Sequence, residues 1–109
     1  MCIFAYGPTG SGKTFTMQGE DDYDKWGIIP RSIEYIFQEI AKMTHYNWSH
    51  KIKIRFSEIY NDNLIDLLHS DVKKDEVIDE EISNGPEEIM KLLLRGYEKR
   101  KVAGTDCND

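Results

Sequence analysis

The residues best suited to chemistry form one glycine-rich string near the start of the chain. The string matches the pattern G-x-x-x-x-G-K-[ST] and consists of Gly7, Pro8, Thr9, Gly10, Ser11, Gly12, Lys13 and Thr14. Glycines let a backbone curl until successive N–H groups point at phosphate oxygens. The ammonium of Lys13 can then reach the β- and γ-phosphates of a nucleotide, and the hydroxyl of Thr14 can ligate Mg²⁺. The string therefore predicts that these residues bind ATP with Mg²⁺ and that Thr14 is the metal ligand.

A phosphate loop of this type lies between a buried strand and a helix. The apolar run 2–6 predicts a short strand of the kind found in parallel sheets. A helix is expected from Thr14 to about Gln18, with its positive end toward the anion. Because a central strand needs neighbours on both sides, we expect part of the sheet to come from chain upstream. The predicted fold class is α/β, a P-loop NTPase-like partial domain that covers residues 1–109 without a complete second domain.

Two longer helices are predicted further along the chain. Pro30 is well placed as the first residue of one helix, and we expect its apolar face to pack in the core; that face contains Ile29, Ile33, Ile36, Phe37 and Ile40. Pro86 opens the other helix, with Glu87 and Glu88 in the first turn. Its apolar face consists of Ile89, Leu92, Leu93 and Tyr97. Its basic side chains are expected mainly to complement the helix dipole and to meet solvent; they are Lys91, Arg95, Lys99, Arg100 and Lys101.

Residues 51–60 alternate between basic and apolar side chains, which predicts a half-buried strand. The alternation breaks near Ser57, where we expect a bulge or a strand end, and it places Glu58 on the apolar side. Structural hydrogen bonding of Glu58 to a nearby loop is favoured over catalysis, because no second acid or base accompanies it. No metal site is predicted from the three histidines, which lack metal-ligand spacing: His45, His50 and His69.

Composition excludes several classes of function. With 14 basic and 20 acidic residues the net charge is −6, which disfavours nucleic acid as a partner, and no apolar run is long enough to span a membrane. The acids concentrate in segments 19–25 and 71–88, which predict exposed loops, the second with a short strand at residues 77–78. Cys2 and Cys107 lack metal-ligand spacing and fit a reduced, cytosolic protein.

The sequence around the glycine string is similar to the phosphate-loop segment of the kinesin motor domain. Residues 2–17 read C-I-F-A-Y-G-P-T-G-S-G-K-T-F-T-M, and the family string is A-Y-G-x-T-G-[SAT]-G-K-[ST]-x-T-M. Three later stretches resemble the family in the same order: G-I-I-P-R at 27–31, E-I-Y-N-D at 58–62 with D-L-L at 66–68, and K-R-K-V-A-G-T-D-C-N at 99–108. The resemblance covers nearly the whole chain.

The resemblance implies an ATP-dependent microtubule motor. The expected partners are ATP or ADP and tubulin, without nucleic acid or membrane insertion, and the expected location is the cytoplasm and cytoskeleton. Phe15 occupies the place where the family often has an aromatic residue or histidine beside the adenine; packing of Phe15 in the core is the alternative. In the family the helix that begins at Pro86 leads to switch I, so its basic cluster could also touch nucleotide or tubulin.

The sequence also departs from the family pattern. Pro8 stands where Gln is most frequent, Lys99 stands where Asn is usual, and the connection between Leu68 and Pro86 is shorter. The strings S-S-R-S-H of switch I, D-x-x-G-x-E of switch II and R-x-R-P are absent from the sequence. We therefore expect a motor fragment that contains no catalytic residue and does not hydrolyse ATP alone. A truncated relic that binds nucleotide or microtubules without hydrolysis is the alternative, and a P-loop NTPase of another class is the weakest.

Overall fold

The computed structural model describes residues 1–105, and the side chains of residues 1–100. This part of the chain divides into two compact units, residues 1–48 and the residues from 49 onward. The first unit contains the helices α1 (Lys13–Met17) and α2 (Ile28–Thr44), with a 3₁₀ turn at Tyr23–Lys25. The second contains the strands β1 (Ile52–Ile54), β2 (Ser57–Tyr60), β3 (Asn63–Asp66) and β4 (Glu80–Ile82), followed by α3 (Pro86–Thr105).

Two glycines set the close approach between the end of α1 and the start of α2. A Cβ at Gly19 would lie 2.2 Å from the carbonyl oxygen of Lys25, and one at Gly27 would lie 2.5 Å from the carbonyl carbon of Met17. The N–H of Gly27 donates to the carbonyl of Gln18 at 3.2 Å, which ties the two helix ends together. Side chains at these positions would clash with backbone, so both positions require glycine.

The strand predicted at residues 2–6 is wrong for this structure. No strand forms there, and the side chains of Phe4 and Tyr6 are 75% and 86% exposed. The sheets within residues 1–105 are two antiparallel pairs, and both lie in the second unit. A strand persists only when its backbone N–H and C=O groups have partners, and none of the described strands pairs with this segment.

Helix α2 begins two residues before the predicted start, so the buried Pro30 is its third residue. The predicted apolar face is only partly covered. Ile33, Phe37 and Ile40 are half-buried, whereas Ile36 is 48% exposed. The expectation that this face packs fully in a core is therefore met only in part.

The second unit contains two antiparallel pairs of strands, one of which is a hairpin. Strand β2 pairs with β3 from Ser57 opposite Asp66 to Tyr60 opposite Asn63. Its two-residue turn, Asn61 and Asp62, has φ values of 49° and 61°, which is the left-handed conformation that such turns require. Strand β1 pairs with β4, which lies at Glu80–Ile82 and not at the predicted residues 77–78.

The predicted strand over residues 51–60 is divided between the two pairs. The interruption falls at Arg55 and Phe56, next to the strand end expected near Ser57. The alternation itself is confirmed, since the apolar side chains are half-buried and the basic ones are exposed. The interruption is needed because β1 pairs with β4, whereas the carbonyl of Phe56 already accepts the N–H of Leu67 at 2.8 Å.

Helix α3 begins at Pro86, as the sequence predicts. The carboxylate of Glu88 accepts the N–H groups of Ser83 at 3.0 Å and Asn84 at 2.6 Å, which caps the start of the helix. Of the predicted apolar face, Ile89 and Leu92 are buried, whereas Leu93 and Tyr97 are half-buried. The face supplies half of the buried hydrophobic core of the unit; the core residues are Leu67, Leu68, Ile89 and Leu92.

Candidate functional site

Three glycines of the string have backbone conformations that other residues rarely adopt. The φ angle is 151° at Gly7, 82° at Gly10 and 97° at Gly12. A Cβ at Gly7 would lie 2.6 Å from Oγ of Ser11, whereas a Cβ at Gly10 or Gly12 would meet nothing within 4 Å. The N–H of Ser11 donates to the carbonyl of Pro8 at 3.1 Å and closes a turn. The loop therefore has the curl for which its glycines are needed.

The ammonium of Lys13 lies against its own loop. Its Nζ donates to the carbonyl of Gly7 at 2.6 Å, and the side chain is partly buried. Gly12 is the N-cap of α1, and no acidic residue occurs in the first turn of this five-residue helix. The positive charge is thus held at the loop by a charge-assisted hydrogen bond to a backbone carbonyl.

Thr14 and Phe15 follow Lys13 on α1, and both are exposed. The carbonyl of Thr14 accepts the N–H groups of Gln18 at 2.8 Å and Gly19 at 3.2 Å, which ends the helix after one turn. The ring of Phe15 is 55% exposed, so it does not pack in the core.

Arg31 organises the acidic segment 19–25 that follows α1. Its Nε donates to the carbonyl of Trp26 at 2.9 Å, and its Nη2 donates to the carbonyls of Tyr23 at 3.2 Å and Asp24 at 3.4 Å. The guanidinium also lies 5.8 Å from the centre of the Tyr23 ring, at cation–π distance. The segment is exposed, as predicted, and Arg31 holds it in an ordered turn.

Glu58 faces helix α3, and its carboxylate has a basic partner there. Its Oε1 lies 3.7 Å from Nε of Arg100, in place of the expected hydrogen bond to a loop. Two further basic residues of α3 also bind specific atoms, although solvation and the helix dipole were expected to dominate. Arg95 donates to the carbonyl of Leu68 at 2.8 Å, and Lys99 donates to the carbonyl of Asp66 at 2.8 Å.

Asp66 is a buried carboxylate whose importance the sequence analysis missed. Its Oδ1 accepts the N–H groups of Leu68 at 2.8 Å and His69 at 3.0 Å, and its Oδ2 accepts the N–H of Ile78 at 2.9 Å. Burial, the largest single influence, raises the pKa of Asp66, but the hydrogen bonds from Ile78, His69 and Leu68 together lower it to about 2. The spacing of Asp66 and His69, three residues apart after a strand, was the signal available in the sequence.

Comparison with known proteins places the chain in a family. The family model described as the kinesin motor domain matches residues 1–109. The chain is 54% identical to the kinesin-like protein KAR3 of Saccharomyces cerevisiae over 71 residues, which is 65% of this chain and 9% of that protein. It is 35% identical to the kinesin-like protein KIN-14G of Oryza sativa subsp. japonica over 130 residues, which is 100% of this chain and 18% of that protein.

A third relative gives the same result. The chain is 35% identical to the kinesin-like protein KIF1A of Rattus norvegicus over 122 residues, which is 100% of this chain and 7% of that protein. The chain therefore belongs to the kinesin motor domain family, which confirms the resemblance noted in the sequence. It spans less than a fifth of the length of these relatives.

Some predicted features lie outside the described residues. The stretch 99–108, which resembles the approach to switch I, ends beyond the described residues, and Cys107 lies beyond them as well. The side chain of Lys101 is also outside the described part. Within residues 1–105, no helix combines the length and the apolar character needed to cross a bilayer.

Proposed function

We propose that residues 7–14 bind the phosphates of ATP as part of a microtubule motor with a P-loop NTPase fold. The main support is the arrangement of the loop, in which three glycines have positive φ and the Lys13 ammonium is held at the carbonyl of Gly7. Membership of the kinesin motor domain family supports the same site, and it supports action at microtubules in the cytoplasm.

The residues of the loop fit a nucleotide phosphate and a magnesium ion. A phosphate can approach the backbone at Gly10 and Gly12, because the space that a Cβ would take there is open. Lys13 would exchange the carbonyl of Gly7 for the β- and γ-phosphates. The exposed Thr14 would hold Mg²⁺ through its hydroxyl, and the bound ion would neutralise phosphate charge. Phe15 would stack on the adenine.

A second candidate is a protein that binds nucleotide or microtubules without hydrolysis. Such a protein would use the loop for binding alone, whereas phosphoryl transfer also needs groups that position water and sense the γ-phosphate. Movement along microtubules would require hydrolysis, so turnover separates the two candidates.

The test replaces Lys13 in the full-length protein. We expect Lys13→Ala to weaken Mg·ATP binding at least about 10-fold, measured by calorimetry, because the paired cation is lost. Lys25→Ala is the matched control, since Lys25 is an exposed lysine of the same unit whose ion pair with Glu20 is 3.4 Å long. Equal affinity in wild type and Lys13→Ala would remove the phosphate-loop proposal.

Phosphate release in the presence of microtubules then distinguishes the candidate functions. A motor shows release in wild type and loses it in Lys13→Ala. Binding that depends on Lys13 without any release supports the second candidate.

A further inference from the structure

The second unit contains a cluster of three titratable side chains that the proposed function does not use. The ring of His69 lies between two carboxylates: its Nδ1 is 3.0 Å from Oδ2 of Asp66, and its Nε2 is 2.8 Å from Oε2 of Glu80. Asp66 ends β3 and Glu80 begins β4, and these strands belong to different sheets. One imidazole therefore joins the two sheets of the unit.

The two distances require a particular charge on the ring. A neutral imidazole has one N–H donor and one nitrogen lone pair, whereas the imidazolium donates from both nitrogens. An ionised carboxylate only accepts hydrogen bonds. A neutral ring in this position would turn a lone pair toward a carboxylate oxygen 3.0 Å away or less, so the geometry fits the charged ring.

We propose that His69 is a proton-dependent clamp between the two sheets of the second unit. The charged ring holds β4 and the chain that leads to it against the end of β3, and loss of the proton releases them. The hydrogen bond from the N–H of Ile78 to Asp66 belongs to the clamped segment, because Ile78 lies between His69 and Glu80 in the chain. Among the described residues no group of three His, Cys, Asp or Glu side chains is placed so that it could hold a metal ion.

Other charged groups act on the clamp from the neighbouring elements. From α3, Lys99 donates to the carbonyl of His69 at 3.4 Å, and its positive charge opposes protonation of the ring. Arg95 of α3 and Asp71 line the same open cavity of about 630 Å³ as His69. The side chain of His69 is 24% exposed, so protons can reach the ring from solvent.

The carboxylates outweigh these opposing influences. The hydrogen bond to Asp66, followed by the hydrogen bond to Glu80, raises the pKa of His69 above its ordinary value of 6.5, against the effect of burial. Stability from a group whose pKa is raised on folding is fully present below the unfolded value and is lost as the pH rises through the folded value. The clamp is therefore closed at slightly acidic pH and opens on the alkaline side of 6.5.

The first test is an NMR pH titration of the His69 ring in the full chain. Glu80→Gln removes one of the two carboxylate charges, and we expect it to shift the titration midpoint of His69 to lower pH. Glu81→Gln is the matched control, because Glu81 is the next residue of β4 and lies 4.0 Å from Lys51 on the exposed side. An unchanged midpoint in Glu80→Gln, or an equal shift in both variants, would overturn the clamp.

The second test measures release without a substitution. Base catalysis makes the exchange rate of every amide rise with pH. In addition to that rise, we expect hydrogen exchange at the N–H of Ile78 in wild type to accelerate as the pH passes the titration midpoint of His69. The same step should be absent from His69→Gln, which cannot become charged. Exchange at Ile78 that shows no step in wild type contradicts the proposal, whether or not His69→Gln folds.

Discussion

The glycine loop of the first unit and the Asp66 cluster of the second unit arrange their polar groups by different means. In the loop, backbone conformation produces the arrangement, and most side chains are exposed. In the cluster, one carboxylate that is only 2% exposed gathers backbone N–H groups and a histidine ring. The exposed loop suits the anion binding that we propose for it, whereas a cluster that holds elements together uses its donors internally.

This difference determines how each region responds to substitution. The cluster has few spare hydrogen-bonding groups, so loss of its acceptor leaves buried donors without partners. The loop has little buried surface to lose, so its substitutions act through conformation and through binding. Mutations in the cluster should therefore change the free energy of unfolding more than mutations in the loop do.

The largest effect is expected from Asp66→Ala. It removes the acceptor of the N–H groups of Leu68, His69 and Ile78. We expect the free energy of unfolding to fall by about 3 kcal/mol or more in urea denaturation, because buried donors would lose their partner. Asp71→Ala, an exposed control in the adjoining segment, should change it by no more than about 0.5 kcal/mol.

Acid titration examines the same carboxylate without a substitution. The pKa of Asp66 is lowered on folding from 3.8 to about 2, so its contribution to stability is complete above 3.8 and is lost as the pH falls toward 2. The stability difference between wild type and Asp66→Ala should shrink over that interval. A difference that stays constant there would show that Asp66 does not act through its charge.

An intermediate effect on stability is expected from two glycine substitutions. One tests backbone strain at positive φ, and the other tests steric overlap of a new methyl group. Gly12→Ala should cost about 1–2 kcal/mol, because φ is 97° there and no neighbour lies within reach of the new methyl. At Gly96 of α3 a Cβ would lie 2.7 Å from the ring of Phe56, so steric overlap should offset the helix propensity gained with alanine.

Combining each glycine substitution with a second substitution nearby checks whether steric overlap or backbone strain is the cause. Phe56→Leu should make Gly96→Ala stabilising, because the smaller side chain removes the overlap. Ser11→Ala, the corresponding control in the loop, should leave the cost of Gly12→Ala unchanged. If Phe56→Leu has no influence on Gly96→Ala, space is not the reason for glycine in α3.

Sequence reasoning predicted features whose causes are local in the chain. The turn of glycines, the start of α3 at Pro86 and the alternation in residues 51–60 depend on neighbouring residues, and the structure has all three. The strand at residues 2–6 was wrong, because strand formation depends on partners that a local pattern does not reveal. The Asp66 cluster was missed for the same reason.

That cluster joins residues from β3, β4 and α3. Its contacts span as many as 33 positions, from Asp66 to Lys99. An acidic residue before Leu-Leu reads equally well as a solvated charge, and only the fold brings the N–H of Ile78 to Asp66 and the carboxylate of Glu80 to His69. The fold therefore turns an ordinary aspartate into a buried acceptor.

The smallest effect on stability is expected from Glu58→Gln. This variant decides whether Glu58 has a structural role, as the cluster does, or a role in turnover. Its ion pair with Arg100 is 3.7 Å long and involves a partner that is more than half exposed, so water and salt screen it. We expect a loss of about 0.5 kcal/mol in urea denaturation, smaller still at high salt, as for the control Glu81→Gln. We also expect unchanged phosphate release at saturating ATP in the full-length protein. A structural ion pair changes stability and leaves turnover alone, whereas a group that acts on the reacting atoms lowers turnover with stability intact. A large fall in turnover would therefore show that Glu58 acts in catalysis and is not only a structural group of the second unit.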